Sequence, residues 1–389
     1  MSKARSHQVL INCSNLHVGG GVAVATSFID CLAELKYEDT DIHLLLSSDV
    51  SRNLKMLGTD TNRFASCQVR DFFGIKALWQ GLSSHFRGMD LVFTVFGPAY
   101  FLFSKSYHLV GFAQPLIIYP DNPITARLNF FNHMVFRIKY RIQQYFFTRA
   151  DAIIVELEHV KTGLEKIDWF AHKPISVVHS AVHTVFKEPD KWLPLVLPKS
   201  QASLKLGIIS RNYPHKNLQI LGEVKRHLLE DYKLAVDFYV TFQPDEWASC
   251  DASFRGNIIN VGGLNLSQCP TFYSLMDGVI FPSLLECFSA VPIEAMMVKK
   301  PLFASDLPFI RDVCDDHCNY FDPLDAKDIA RVIFDFFKQP ESERAGWVGG
   351  AYEHVQKYHG PVDRAEKYMA IIKELVSSHR EIQLRNLME

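Results

Sequence analysis

The sequence predicts an α/β protein made of two doubly wound parallel-sheet domains. Three observations predict it. Strand and helix patterns alternate from residue 9 onward, they start afresh at residue 204, and a stretch carrying Pro189, Pro194 and Pro198 separates the two series. The length of 389 residues agrees, since a single core rarely serves so long a chain and two domains of roughly 180 residues are expected.

Residues 9–13, opening on the apolar Val9-Leu10-Ile11, read as a strand, Gly19-Gly20-Gly21 as a turn, residues 22–35 as a helix and residues 42–46 as a second strand. This is one βαβ unit. The glycines are not a dinucleotide fingerprint, because Val24 stands where Gly-x-Gly-x-x-Gly requires its last glycine. Further strands are expected at residues 91–95, 109–112, 152–155 and 175–178, and residues 188–200 read as the linker. The second series runs strand 204–209, polar loop, helix 218–229, strands 236–240 and 258–261, a short helix near 270–276, and strand 278–281. The charged, amphipathic residues 364–375 read as a helix.

Composition bounds the function. A net charge of -2 excludes a globally basic protein and gives nucleic-acid binding no electrostatic support. Hydrophobic residues at 48%, charged residues at 22% and the absence of any apolar run near ~18 residues describe an ordinary globular chain with no expected membrane span. The short polar residues 1–7 lead straight into a strand, so no secretory signal is expected, and eight irregularly spaced cysteines read as reduced thiols of a cytoplasmic protein. Cys314-Asp315-Asp316-His317-Cys318 is dense enough to consider for a metal, but it lacks a second ligand pair.

One local asymmetry stands out. Residues 122–150 hold no acid after Asp121, while Arg127, Arg137, Lys139, Arg141 and Arg149 alternate with Phe130, Phe131, Phe136, Tyr140, Tyr145, Phe146 and Phe147. Two readings stay open: a helix lying on an anionic membrane surface, or a helix packing its aromatics on the sheet.

The residues with the most chemistry are Glu286 and Glu294, with seven residues between them in a loop-to-helix run. A carboxylate in the loop and another about a turn into the helix can face one ligand, with helix-start amides between them for an anion. Upstream, Arg211 and Lys216 stand five residues apart in a loop that turns at Pro214, and both can reach phosphate oxygens, Arg as a fork and Lys as a point charge.

Pro282-Ser283, Glu286, Phe288, Pro292 and Glu294-Ala295-Met296 together resemble the signature of family 4 glycosyltransferases, retaining enzymes of the GT-B fold with two Rossmann-like domains facing a central cleft. The resemblance continues through Lys300-Pro301, Ser305-Asp306-Leu307-Pro308 and Tyr320-Phe321-Asp322-Pro323, covers about residues 204–340, and is mostly architectural over the first 190. It implies an acceptor-binding domain at 1–187, a linker at 188–200, a nucleotide-sugar-binding domain at 201–362, and a C-terminal helix, 363–389, returning to the first domain.

The resemblance also implies roles. Arg211 and Lys216 match the family's phosphate-binding pair, and with Glu286 near the hexose they are the expected catalytic residues. Glu294 would accept from the donor ribose, Ser289 and Ala290 would offer amides to the diphosphate, and Phe288 and Asn217 join them as donor-binding residues. Gly19, Gly20, Gly21 and Gln114 form the expected phosphate or acceptor loops. Three departures matter: Cys287 and Ser289 replace usual glycines, Gln114 stands where many members carry a histidine, and His179-Ser180-Ala181-Val182-His183 replaces Pro-Asn-Gly-Val-Asp. Gln114 can hydrogen-bond a sugar but cannot act as a base.

The implied reaction moves a hexose, with retention, from a nucleoside-diphosphate sugar to a hydroxyl of a glycan or polyprenyl-linked acceptor, as in O-antigen or capsule assembly. No cofactor or metal is expected: no Asp-x-Asp stands where Mg²⁺ would be held, and Asp315-Asp316 and Asp39-Thr40-Asp41 read as polar turns. The expected location is cytoplasmic, peripheral on the inner face of the membrane. A catalytically weak scaffold subunit and a nucleotide-sugar epimerase of the same fold are the competing readings.

Overall fold

The computed structural model describes residues 6–37, 39–72, 84–101, 104–200, 202–358 and 360–388; of residues 380–388 it describes the backbone alone. Most of the polar residues 1–7, and Gln201 at the expected start of the second domain, lie outside the described residues. The chain divides into two compact units. One comprises Met1–Pro120, Asn129–Ala181 and His359–Glu389, the other Asp121–Leu128 and Val182–Tyr358.

The first unit holds a seven-stranded sheet of β1 (His7–Cys13), β2 (Thr40–Leu46), β3 (Ser66–Val69), β4 (Leu91–Thr94), β5 (Tyr107–Gly111), β6 (Ala152–Val155) and β7 (Ile175–Val177), in the order β3-β2-β1-β4-β5-β6-β7. Every pairing is parallel. Strands such as β4 and β6 are buried throughout, as a parallel sheet covered on both faces requires. Around it lie α1 (Gly19–Glu34), α2 (Ser48–Leu57), α3 (Pro115–Ile118), α4 (Phe130–Thr148) and α5 (Glu158–Glu165).

Two expectations are corrected here. The three glycines do not precede the first helix; they are its first turn, entered through Gly19 at φ +68°, a conformation that glycine adopts freely. Strand β3 was not expected, because Ser66-Cys67-Gln68-Val69 is a short, largely exposed edge segment without apolar alternation. The C-terminal ends of β1 and β4 are tied by a buried polar chain, Asn12 Nδ2 donating to Thr94 Oγ1 at 3.0 Å and Ser14 Oγ to Asn12 Oδ1 at 2.6 Å. At the end of β5, an added Cβ on Gly111 would stand 1.8 Å from the Val95 carbonyl oxygen, so only glycine allows this approach.

The second unit holds β8 (Leu204–Ile208), β9 (Val236–Val240), β10 (Ile258–Asn260), β11 (Gly278–Phe281), β12 (Leu302–Ser305) and β13 (Asn319–Phe321) in the parallel order β10-β9-β8-β11-β12-β13. Its helices are α6 (Leu221–Tyr232), α7 (Pro244–Ser249), α8 (Ala252–Asn257), α9 (Cys269–Ser274), α10 (Val291–Met297), α11 (Pro308–Cys314), α12 (Ala326–Lys338) and α13 (Glu341–Val355). Helix α12 shows the rule by which they form. Asp325 caps it by accepting from the Lys327 and Asp328 amides, and Ile329, Ala330, Ile333 and Phe336 recur at helical spacing and are buried. Burying each large side chain contributes about 1.5–3 kcal/mol, so Ile333→Asp would release this helix from the sheet.

The last helix, α14 (Pro361–Met388), belongs to the first unit and packs on α1, β4 and β5. It buries Ala365, Tyr368, Met369, Ile372 and Val376, and the Tyr368 ring meets Phe28 and Phe93 edge-on at 5.1 and 5.2 Å.

Candidate functional site

In the second sheet the strand order reverses between β8 and β11, and the loops leaving the carboxyl ends of two such strands diverge to leave a ligand crevice. The loop after β8 carries Arg211, His215 and Lys216; the loop after β11 carries Ser283 and Glu286. Topology alone therefore brings residues some seventy positions apart into one place.

They meet around Glu286 Oε1. Lys216 Nζ lies 2.5 Å from it, Ser283 Oγ donates to it at 2.8 Å, and His215 Nε2 stands 3.8 Å away. The two loops are laced further by Leu284 N and Ser283 Oγ, which donate to the His215 carbonyl at 2.7 and 3.2 Å. Lys216 also sits 5.2 Å from the centre of the Phe281 ring. With Lys216 and Glu286 only 14% and 13% exposed, the pair is shielded enough for its charges to act strongly on a ligand. Burial holds the His215 imidazole below its usual pKa, outweighing the pull of Glu286, so this ring is neutral at neutral pH.

Arg211 points elsewhere. Its Nε donates to Glu246 Oε1 at 2.7 Å, on α7, and the same carboxylate accepts from the Asn212 and Gln243 amides at 3.2 and 3.0 Å. Burial raises the Glu246 pKa, but these bonds outweigh it and the carboxyl stays below its ordinary value, ionised. Arg211 remains 48% exposed, free to reach a ligand without leaving its loop.

Glu294 lies in the first turn of α10, with Tyr273 Oη donating to its Oε2 at 3.0 Å. Burial pushes its carboxyl up to about 7, tempered by the tyrosine bond. Phe288, Ser289 and Ala290 are half-buried in the short stretch between the two glutamates, and Ala290 caps α10; Pro292 brings no amide hydrogen to that first turn. Asn217 is turned inward: at φ +54° it ends the Pro214–Lys216 turn and donates to the Pro323 carbonyl at 2.7 Å. Beside it opens a cavity of about 440 Å³ lined by Leu284, Asp306, Tyr320, Asp322, Pro323 and Asp328. Its carboxylates suit hydroxyls better than phosphate.

In the first unit, Gly19, Gly20 and Gly21 follow β1, and Gln114 caps α3 after β5. Nothing lies within 4 Å of a Cβ built on Gly19 or Gly20, whereas one on Gly21 would meet Leu16 Cδ2 at 3.3 Å. Gln114 is half-buried.

Sequence reading missed four partnerships at these positions: Ser283 and His215 on Glu286, Glu246 on Arg211, and Tyr273 on Glu294. The first pair lay beside residues already singled out. Glu246 and Tyr273, 35 and 21 residues from their partners, carried no local signal. Among the described residues no group of three or more His, Cys, Asp or Glu is placed to hold a metal ion, and no helix is long and apolar enough to cross a membrane.

Two Rossmann-like parallel sheets in one chain define the GT-B class of fold. Solved structures agree: sucrose-phosphate synthase from Thermosynechococcus elongatus superposes with a TM-score of 0.69 at 15% identity, covering 96% of this chain and 100% of that one. HepE of Anabaena, in complex with UDP and glucose, does so with a TM-score of 0.65 at 13% identity, covering 95% and 100%. Residues 202–353 match the family described as glycosyl transferases group 1, and the chain carries a domain of that family. The O-antigen chain mannosyltransferase RfbU of Salmonella typhimurium is 20% identical over 234 residues, which are 59% of this chain and 62% of that relative.

Proposed function

We propose that this chain is a retaining glycosyltransferase of family 4. It moves a hexose from a nucleoside-diphosphate sugar to a hydroxyl of a glycan or lipid-linked glycan in surface-polysaccharide assembly. The observation that carries the reading is the shielded Lys216–Glu286 pair at the reversal point of the second sheet, inside the family-matched domain. The name of the Salmonella relative and the UDP and glucose bound to HepE support the acceptor and donor classes.

In this reading each cation is held in place by a carboxylate until the donor arrives. The diphosphate takes Lys216 and Arg211 into charge-assisted bonds, and hexose hydroxyls take their place on Glu286. Glu294 receives the ribose hydroxyls. As the glycosidic bond to phosphate breaks, Lys216, Arg211 and the backbone at Ser289–Ala290 face the growing negative charge, stabilising it more in the transition state than in the ground state. Two cations do for the leaving group what a divalent ion would otherwise do, so turnover is expected to survive EDTA. The acceptor hydroxyl attacks the anomeric carbon on the face the diphosphate leaves and gives its proton to the departing diphosphate oxygen, with no carboxylate assigned as nucleophile. In this reading Gln114 and the Gly19–Gly21 turn contact the acceptor.

The test is release of free hexose from UDP-, GDP- and dTDP-sugars, after a thermal-shift screen for the donor that binds. A ligand at 100 times its dissociation constant stabilises by about 2.7 kcal/mol, an easily read shift. Slow hydrolysis that disappears in Glu286→Ala and Lys216→Ala supports the transferase. Absence of turnover and of nucleotide binding would instead mark a scaffold of the same fold.

A further inference from the structure

Helix α4 has two apolar faces, and the first unit covers one of them. Phe136, Tyr140, Gln143 and Phe147, spaced to share a face, are the seated side: Phe147 is fully buried with its ring 4.8 Å from that of Phe112, and neighbouring Phe146 meets Tyr100 at 4.8 Å. The opposite row, Phe131, Val135, Ile138, Ile142 and Tyr145, repeats at three and four residues and is 66%, 50%, 54%, 48% and 45% exposed, with Phe130 at the helix start 85% exposed. Scattered exposed apolar residues are ordinary; a continuous row along a helix held in place by its other face marks a docking surface. The packing expected for the aromatics of this segment therefore accounts for half of the helix.

Charge selects the occupant. Arg137 and Arg141 edge the row beside Ile138, Ile142 and Tyr145, and Lys139 stands on the other flank. No acidic residue occurs from 122 to 150. A second copy of the chain packed face to face would set Arg137 and Arg141 against their own counterparts. An anionic bilayer answers both features at once, with acyl chains for the row and phosphates for the cations.

We propose that the exposed face of α4 docks the chain on a bilayer surface bearing anionic lipid headgroups, with the helix in the plane of the interface. Ile138, Ile142 and Phe131 enter the acyl boundary, Arg137, Arg141 and Lys139 meet headgroup phosphates, and Tyr145 places its ring in one layer and its hydroxyl in the other. At 19 residues the helix is about 28 Å long, enough to lie along the surface. The proposal stands apart from the transferase reading, since hydrolysis of a free donor needs no bilayer.

The intact chain is to be sedimented with phosphatidylcholine vesicles containing or lacking phosphatidylglycerol, at low and high salt. Binding is expected to require phosphatidylglycerol and to weaken with salt. Arg137→Glu with Arg141→Glu lowers the partition coefficient by at least about 25-fold, since each basic group near the surface is worth about fivefold. Ile138→Asp with Ile142→Asp abolishes binding, and both variants keep the wild-type circular dichroism because the altered side chains are exposed. Three results would overturn the proposal: no binding to anionic vesicles, binding unchanged in both variants, or a lipid-free dimer that Ile142→Asp converts to monomer.

Discussion

At the strand ends of the second unit Lys216 meets Glu286 at 2.5 Å and Arg211 meets Glu246 at 2.7 Å. At those of the first unit, Gly19 and Gly20 have no heavy atom within 4 Å of where a Cβ would stand. Among the expected site residues, those of the second unit are charged and paired, whereas those of the first are the backbone of Gly19–Gly21 and one amide, Gln114. The difference teaches how the proposed chemistry divides. A diphosphate is recognised by charge, and charge needs side chains at fixed spacing. An acceptor sugar is recognised by shape and hydroxyl geometry, for which many residues serve.

Substitutions ranked by expected effect sharpen that division. Lys216→Ala is expected to lower donor hydrolysis by about 10³-fold, because one preorganised donor to the leaving group is removed and Glu286 keeps an uncompensated charge. Arg211→Ala follows at about 10²-fold, and Glu246→Gln, which only loosens Arg211, at about tenfold, with the loss mainly in donor KM. Steady-state hydrolysis assays read all three. If Glu246→Gln matched Lys216→Ala, Glu246 would be touching substrate rather than positioning Arg211.

Glu294 gives a pH prediction. Its folded pKa of about 7 lies above its ordinary 4.5, so the native state binds the extra proton. The sign follows: this stabilisation is complete below pH 4.5 and is lost as pH rises through 7. Buried Glu156, also pushed up to about 7 by burial with Ser180 and Arg364 opposing, adds to the same trend. Thermal melts should therefore flatten over this window in Glu294→Gln. Donor hydroxyls prefer the ionised carboxylate, so donor binding near pH 6 should release a proton, visible as a buffer-dependent heat in calorimetry and absent in Glu294→Gln.

The smallest effects belong to the first unit. Gln114→Ala should raise acceptor KM by about threefold to tenfold with donor hydrolysis unchanged, the worth of one hydrogen bond. Gly20→Ala, with open space around it, should change donor hydrolysis less than about twofold. A large loss of donor hydrolysis in either would break the comparison.

What could be read from the chain follows the same physics. Apolar runs buried on both faces, such as Ala152-Ile153-Ile154-Val155 and Gly278-Val279-Ile280-Phe281, declare themselves as strands. Edge strands do not, and β3 and β13 were not expected because three or four partly exposed residues carry no period; the buried interior strand β12 was not expected either, its four residues Leu302–Ser305 being a short run that ends on Ala304 and Ser305. The start of α1 at Gly19 was hidden since glycine signals a turn and a helix N-terminus alike. In the site, Glu286, Glu294, Arg211 and Lys216 were legible as charged residues at telling intervals. Glu246 and Tyr273 were not, because their partnerships exist only after the second unit folds.

The proposed diphosphate site at the reversal point of the second sheet is cationic through Lys216 and Arg211. Calorimetric titration of wild type, Lys216→Ala and Gly20→Ala with the nucleoside diphosphate chosen by thermal shift tests it directly. Saturable binding by wild type, at least about 10²-fold weaker in Lys216→Ala and within about twofold in Gly20→Ala, is the predicted result. Equal affinity of wild type and Lys216→Ala, with both proteins folded, would contradict it.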